Sequence, residues 1–205
     1  MGRRPNSERN EKICTSRSMN FLEETLTIKN KEEIRYWSRN AMNGTDIDLP
    51  SEKGIYTLIL FIKEAIEISV GSLGVISFTP GYYIYIGSAK NFGGLKSRVT
   101  RHFNKSKRRK FWHIDYLTAS QHVEIIGVIY STITNSTEID YESILANNVL
   151  NNECFTIACP RFGASDKRRD VSHLYKCICH INRCINNVVS LFYSIGLNPR
   201  TIFRF

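Results

Sequence analysis

The 205-residue sequence predicts a compact α/β (α+β) sandwich with a small mixed or antiparallel central sheet flanked by helices. Three observations predict it. The run GIYTLILFI at 54–62 is continuously apolar and rich in β-branched residues, the pattern of a strand buried on both faces. GYYIYIG at 81–87 carries a second strand, which places Tyr83 and Tyr85 on one face and Tyr82, Ile84 and Ile86 on the other. Leu95, Val99 and Phe103 then recur at four-residue steps, the spacing of a helix with one buried stripe.

The remaining elements follow in chain order. Residues 1–20 are polar and predict disorder, and Leu22, Leu26, Ile34 and Trp37 suit one or two short helices over Phe21–Trp37. AMNGTDIDLPSEKG (41–54) has turn chemistry throughout and reads as a linker. After the first strand, Ile66–Val70 suggests a second, with GSLG (71–74) as a turn. WHIDYL (112–117) opens a short helix, and VEIIGVIYS (123–131) is a strand. Ser136 or Thr137 is placed to cap a helix through about Leu150, with Tyr141, Leu145 and Val149 inward. Ile178, Ile181, Ile185, Val188 and Phe192 form one face of a last helix. The organisation expected is a polar extension and linker over 1–48, a domain over 49–175, and a helical C-terminal extension over 176–205.

Charge narrows the function. Lys and Arg number 28 against 19 Asp and Glu, a net charge of +9, which favours polyanionic partners. Nine of the basic residues fall between Ser88 and His113, where there is no acid, whereas Ile114–Pro160 carries acids and neither Lys nor Arg. One face is therefore expected to be cationic, with a carboxylate supplied from another element. Lys90, Lys96, Arg101, Lys105, Arg108 and Arg109 are the candidate phosphate contacts. No apolar run is long enough for a membrane span, and the N-terminus has no apolar signal core, so the expected location is the cytoplasm. There the six cysteines would stay reduced.

Phosphodiester hydrolysis needs an activated water, a cation against the charge growing on the phosphoryl oxygens, and a proton for the leaving oxygen. Arginine gives a planar grip on phosphate, and a carboxylate can hold Mg²⁺ (or Mn²⁺) with several of its waters. Tyr56, Tyr85, Arg98, His102 and Glu142 are residues of the required types on a few neighbouring elements.

GIY at 54–56 and YIG at 85–87, followed by LKSRVTRH at 95–102, resemble the GIY-YIG nuclease family. The likeness extends to one microbial branch of that family through GYYIYIGSA (81–89), GGLKSRVTRH (93–102), WHIDYL (112–117), FGASD (162–166) and SHL (172–174), spanning roughly Leu49–Tyr175. By that resemblance Tyr56 is the general base or its orienter, and Tyr85 supports the nucleophilic water and the phosphate. Arg98 stabilises the transition-state phosphate, His102 is a secondary proton or phosphate contact, and Glu142 is the single carboxylate ligand of Mg²⁺ (or Mn²⁺). Glu138, one turn earlier, is the alternative ligand. Gly54 and Gly87 would permit close approach. Where the branch has two cysteines after FGASD, this chain has Lys167, Arg168 and Arg169.

Each residue also has a plainer reading. A strand tyrosine is commonly packing, an arginine on a helix is commonly solvated, and Asp115 after WHI is ordinary capping. Ser165, Asp166 and His173 lie in one loop without an oxyanion site, so a hydrolase triad there is a false lead. Cys177, Cys179, His180 and Cys184 read as a packing helix in preference to zinc. The resulting expectation is a metal-dependent endonuclease acting on DNA, with structured or damaged DNA as candidate substrate and a protein partner to supply specificity. The alternative is a catalytically silent nucleic-acid-binding adaptor.

Overall fold

In the computed structural model, described for residues 48–134 and 139–203, the apolar run at 54–62 becomes β1 (Gly54–Ile62), one of the two central strands of the sheet. Eight of its nine residues are buried, because neighbours cover both of its edges and both of its faces. The other strands are β2 (Ile66–Ser69), β3 (Val75–Phe78), β4 (Gly81–Ala89), β5 (Val123–Thr132), β6 (Phe155–Ile157), β7 (Leu174–Cys177) and β8 (Arg200–Phe203). Six form one sheet in the order β6-β7-β4-β1-β5-β8, and every pairing is antiparallel. β2 and β3 make a separate hairpin through a 3₁₀ turn at Gly71–Leu73.

Alternation along β1 and β4 divides the interior into two layers. Tyr56, Leu58, Leu60, Tyr83 and Tyr85 face one layer, with Leu95 and Val99 of α1 (Gly94–Phe103) and Ile114 and Leu117 of α2 (His113–Thr118). Ile55, Ile59, Ile84 and Ile86 face the other, with Leu145 and Val149 of α3 (Tyr141–Leu150) and Cys184, Val188 and Phe192 of α4 (Ile181–Ser194). Each such aliphatic or aromatic side chain contributes about 1.5–3 kcal/mol on burial, so two helix layers hold the sheet from both sides. The α+β class expected from sequence is the class found, and among the described residues no helix is long and apolar enough to cross a membrane.

Several details differ from the sequence reading. β3, β6, β7 and β8 are additions to the sequence reading, strands of only three or four residues, too short for a repeating pattern. The division at 175/176 falls inside β7, and the last residues form α4 and then β8, which pairs with β5; the C-terminal segment is thus built into the sheet. α3 starts at Tyr141 behind Asp140, whose carboxylate accepts from the Ser143 N–H. Ser136, Thr137 and Glu138, like the helices read over Phe21–Trp37, lie outside the described residues. Ile178 precedes α4 and is exposed.

The cysteines also depart from expectation. Cys154 and Cys179 form a disulfide with Cα atoms 5.0 Å apart. The β6–β7 pairing causes it: Phe155 lies opposite Cys177, which brings the flanking cysteines to bridging distance. Cys177 and Cys184 are buried thiols, and no group of three or more potential metal ligands gathers among the described residues.

Candidate functional site

Tyr56 lies mid-sheet on β1, directly opposite Gly87 of β4. A Cβ at Gly87 would stand 2.5 Å from both Cζ and the oxygen of the phenol, so the ring crosses the space a side chain there would fill. At Gly54 a Cβ would meet the Ser131 carbonyl at 2.4 Å. Both glycines therefore serve close approach, as the resemblance implies.

The Tyr56 hydroxyl is 2.8 Å from Nε2 of His102, which α1 delivers to the tyrosine layer. His102 is 1% exposed and stands beside both phenols, with ring centroids 5.6 Å from Tyr56 and 6.4 Å from Tyr85. It lies on the buried side of α1. The helix ends at Phe103, and the buried stripe is Leu95, Val99 and His102, with Phe103 half-buried.

Behind His102 stands Asp115 of α2, fully buried. Its Oδ2 accepts from the Arg101 guanidinium at 2.8 Å and from the backbone N–H groups of Phe111 and Trp112 at 3.0 and 3.4 Å. Burial alone would raise this carboxyl, but those donors outweigh it and hold the group below the usual range, so it is ionised. Its Oδ1 makes no hydrogen bond and lies 3.9 Å from His102 Nδ1. An anion at that side favours the proton on Nδ1, which leaves Nε2 to accept from the Tyr56 hydroxyl. Asp115, His102 and Tyr56 thus form one oriented line. WHIDYL carried the signal for Asp115, but capping accounted for it there; the carboxylate both caps α2 and orients the histidine.

Burial pushes the His102 imidazole down to about 3, helped by Arg98, Lys107 and Arg101 and opposed by Asp115. Burial likewise pushes the Tyr56 and Tyr85 phenols upward, with Glu142 and Asp115 adding to the rise and Arg98 opposing it. All three rings are neutral near pH 7. A neutral phenol is a weak base, so Tyr56 is suited to orienting a water rather than removing its proton.

Arg98 comes from the same helix, and its guanidinium stacks 3.5 Å from the centroid of Trp112. It is half-buried and within electrostatic reach of both phenols. Glu142 reaches the same phenols from the opposite helix layer. Its route is the end of β7: the β4–β7 ladder stops at Tyr85 opposite Leu174, and the first turn of α3 meets β4 beyond it, at Ser88. Tyr56, Tyr85, Arg98, His102 and Glu142 are thereby brought into one neighbourhood.

Glu142 is already engaged. Its Oε2 accepts from Lys167 Nζ at 2.7 Å and from the Ser88 hydroxyl at 3.0 Å. The same ammonium donates to both Asp140 oxygens, at 2.8 and 2.9 Å. These residues do not fit a divalent ion as they stand, because the ammonium already lies against the carboxylate where the ion's charge would be needed. The expectation of Glu142 as the single carboxylate ligand therefore meets an ion pair already in place at that carboxylate. Lys167 was visible only as a departure from FGASD-Cys, and its partner was not legible.

Of the candidate phosphate contacts, Lys90, Lys96, Arg108 and Arg109 are exposed. Arg101 is committed to Asp115 and to the Arg109 carbonyl at 2.7 Å. Lys105 donates to the carbonyls of Ser120, at 2.7 Å, and Val123, and burial lowers its pKa. Those two brace the end of α1 against α2 and β5. Exposed Phe111 lies among the basic residues, 4.8 Å from the Arg109 guanidinium, and Phe92 projects fully into solvent just before α1. In the loop after β6, His173 pairs with Asp170 at 2.8 Å while Ser165 and Asp166 are exposed, so no Ser165–Asp166–His173 triad forms.

No curated protein and no solved structure matches the chain. The family model described as Domain of unknown function DUF123 matches residues 55–194, from the second residue of β1 to the end of α4. With well over half of its length covered, the chain belongs to that DUF123 family.

Proposed function

We propose that this protein is an endonuclease that hydrolyses phosphodiester bonds in DNA. The observation that carries the reading is the convergence of Tyr56, Tyr85, Arg98 and Glu142, which are far apart in sequence, at the end of β4 beside a cationic face. Arg98, already planar against Trp112, grips the phosphate and offsets charge on the phosphoryl oxygens. Tyr56, held by His102 and Asp115, accepts a hydrogen bond from the attacking water, and Tyr85 borders the same space. The water oxygen bonds to phosphorus as the bond to the leaving oxygen breaks, and the proton the water gives up to solvent is matched by one that the leaving oxygen takes from it. Mg²⁺ (or Mn²⁺) has no place on Glu142 while the Lys167 ammonium is there.

Lys90, Lys96, Arg108 and Arg109 would track the backbone, which positions DNA without reading its sequence. Exposed Phe92 and Phe111 suit stacking with unpaired bases and favour branched, damaged or single-stranded DNA over intact duplex. A protein partner would then supply specificity. The Glu142–Lys167 ion pair favours one other reading, an adaptor that binds nucleic acid without turning it over.

Supercoiled and branched DNA incubated with and without Mg²⁺, beside Arg98→Ala and Glu142→Ala, separates the two. Nicking that disappears in Arg98→Ala supports the enzyme, and the arms with and without Mg²⁺ show whether it needs the ion. Salt-sensitive binding with no nicking in any condition, unaffected by Glu142→Ala, supports the adaptor and removes the nuclease reading.

A further inference from the structure

The loop between β6 and β7 carries Lys167, Arg168 and Arg169 where the resembled branch has two cysteines, and the structure anchors this triplet on both sides. Lys167 Nζ lies 2.7 Å from Glu142 and 2.8 Å from Asp140, at the start of α3. Asp170 accepts from the Ser143 hydroxyl at 2.6 Å and pairs with His173 at 2.8 Å. Arg161, in the left-handed region at φ 64°, ties the loop together. Its guanidinium donates to the carbonyls of Ser165, Lys167 and Asp170 at 2.9, 3.1 and 3.3 Å. Arg168 and Arg169 are what these anchors leave outside. Both are exposed, and among the described residues neither enters an ion pair.

The charges of the loop are ordered by depth. Burial opposes the charge on Lys167, but its bonds to Asp140 and Glu142 outweigh it and raise the pKa, so the ammonium persists. Without that cation the start of α3 would present two carboxylates beside the site and repel a phosphate. Farther out, Arg168 and Arg169 outnumber the exposed Asp166 of the same loop. Lys90, 3.9 Å from Asp140, continues the positive charge to the end of β4. We propose that Arg168 and Arg169 are a second contact for the DNA backbone, on the α3 side of the β4 end and opposite the basic face of α1. Lys167 is the inner cation that keeps Asp140 and Glu142 from repelling the strand. Arginine suits phosphate through its planar fork, and a loop already anchored loses little freedom on binding. The contact rests on the DNA reading proposed above, whether or not the strand is cut.

Fluorescence anisotropy of labelled oligo-dT, titrated with the full chain at several NaCl concentrations, tests it. In Arg168→Gln/Arg169→Gln the slope of log affinity against log salt should be shallower by about 1.4, at about 0.7 for each phosphate contact on a single strand. Arg168→Lys/Arg169→Lys should keep most of the slope, and a mixed-sequence strand should respond as oligo-dT does. Lys63→Gln/Arg183→Gln removes the same charge from ion pairs with Glu124 and Glu153, and should leave the slope as in wild type. Thermal melts confirm that each variant is folded. A slope unchanged by Arg168→Gln/Arg169→Gln, or lowered equally by Lys63→Gln/Arg183→Gln, overturns the inference. Nicking of supercoiled and branched DNA is scored separately. The shallower slope with no nicking by any protein supports this contact and sinks the nuclease reading alone. Nicking by a wild type whose slope does not depend on Arg168 and Arg169 sinks this inference alone, and a wild type that binds no DNA sinks both.

Discussion

His102 lies in the tyrosine layer with one nitrogen bonded to a phenol and the other facing Asp115 without a hydrogen bond, and this predicts how the fold responds to acid. The folded imidazole is depressed from 6.5 to about 3, first by burial and then by Arg98, Lys107 and Arg101, with Asp115 only partly offsetting them. In the unfolded chain the ring regains its ordinary affinity. As pH falls below about 6.5, the unfolded state therefore binds a proton that the native state refuses, and stability drops until the native ring also titrates. The slope from this one group approaches about 1.4 kcal/mol per pH unit over the middle of that window. With a urea m-value of about 1–3 kcal/mol/M, the midpoint should move by roughly 0.5–1.4 M per pH unit. Urea titrations at several pH values between 6.5 and 4 on wild type and His102→Gln isolate the term, because other groups titrate in both proteins. The variant starts less stable but should lose stability more slowly. Parallel curves would refute a neutral, buried His102.

Two further predictions use single substitutions. Gly87→Ala places a methyl 2.5 Å from the Tyr56 phenol, so it should cost about 1–3 kcal/mol in a chemical melt and abolish the Tyr56–His102 bond and any nicking, although glycine carries no chemistry. Lys105→Met removes donors from the Ser120 and Val123 carbonyls; stability should fall by about 1–3 kcal/mol, while the salt dependence of DNA binding stays as in wild type, in contrast to Lys96→Met.

Periodicity made β1, β4, β5 and the cores of α1 and α2 legible, since each is long enough for a pattern to repeat. β7 is four residues long and exists because Lys176 and Leu174 find Tyr83 and Tyr85 about ninety residues earlier, which no local pattern encodes. His102 illustrates an ambiguity in the pattern itself. It falls four residues after Arg98 and three after Val99, so it suits a cationic side and a buried stripe equally, and only the packing of Tyr56 decides. In the sequence Lys167 is only the first of three basic residues after FGASD. Its role depends on α3 starting at Tyr141, which turns Asp140 and Glu142 toward the loop, and that start was misplaced.

The sheet explains why the phenols and the carboxylate meet at this position and not elsewhere. Tyr56 and Tyr85 point into one layer, whereas Glu142 belongs to a helix of the other, and a complete sheet would keep them apart. β7 ends its ladder opposite Tyr85, and β4 runs on for four more residues to Ala89 with β1 along its other edge. Past that point Ser88 of β4 donates to Glu142 of the other layer, and Gly87 leaves the space that the Tyr56 phenol crosses. A longer β7 would lie along β4 where Ser88 now meets Glu142. For the proposed nuclease, the short strand that periodicity could not reveal is therefore what would bring residues from both layers to one phosphate.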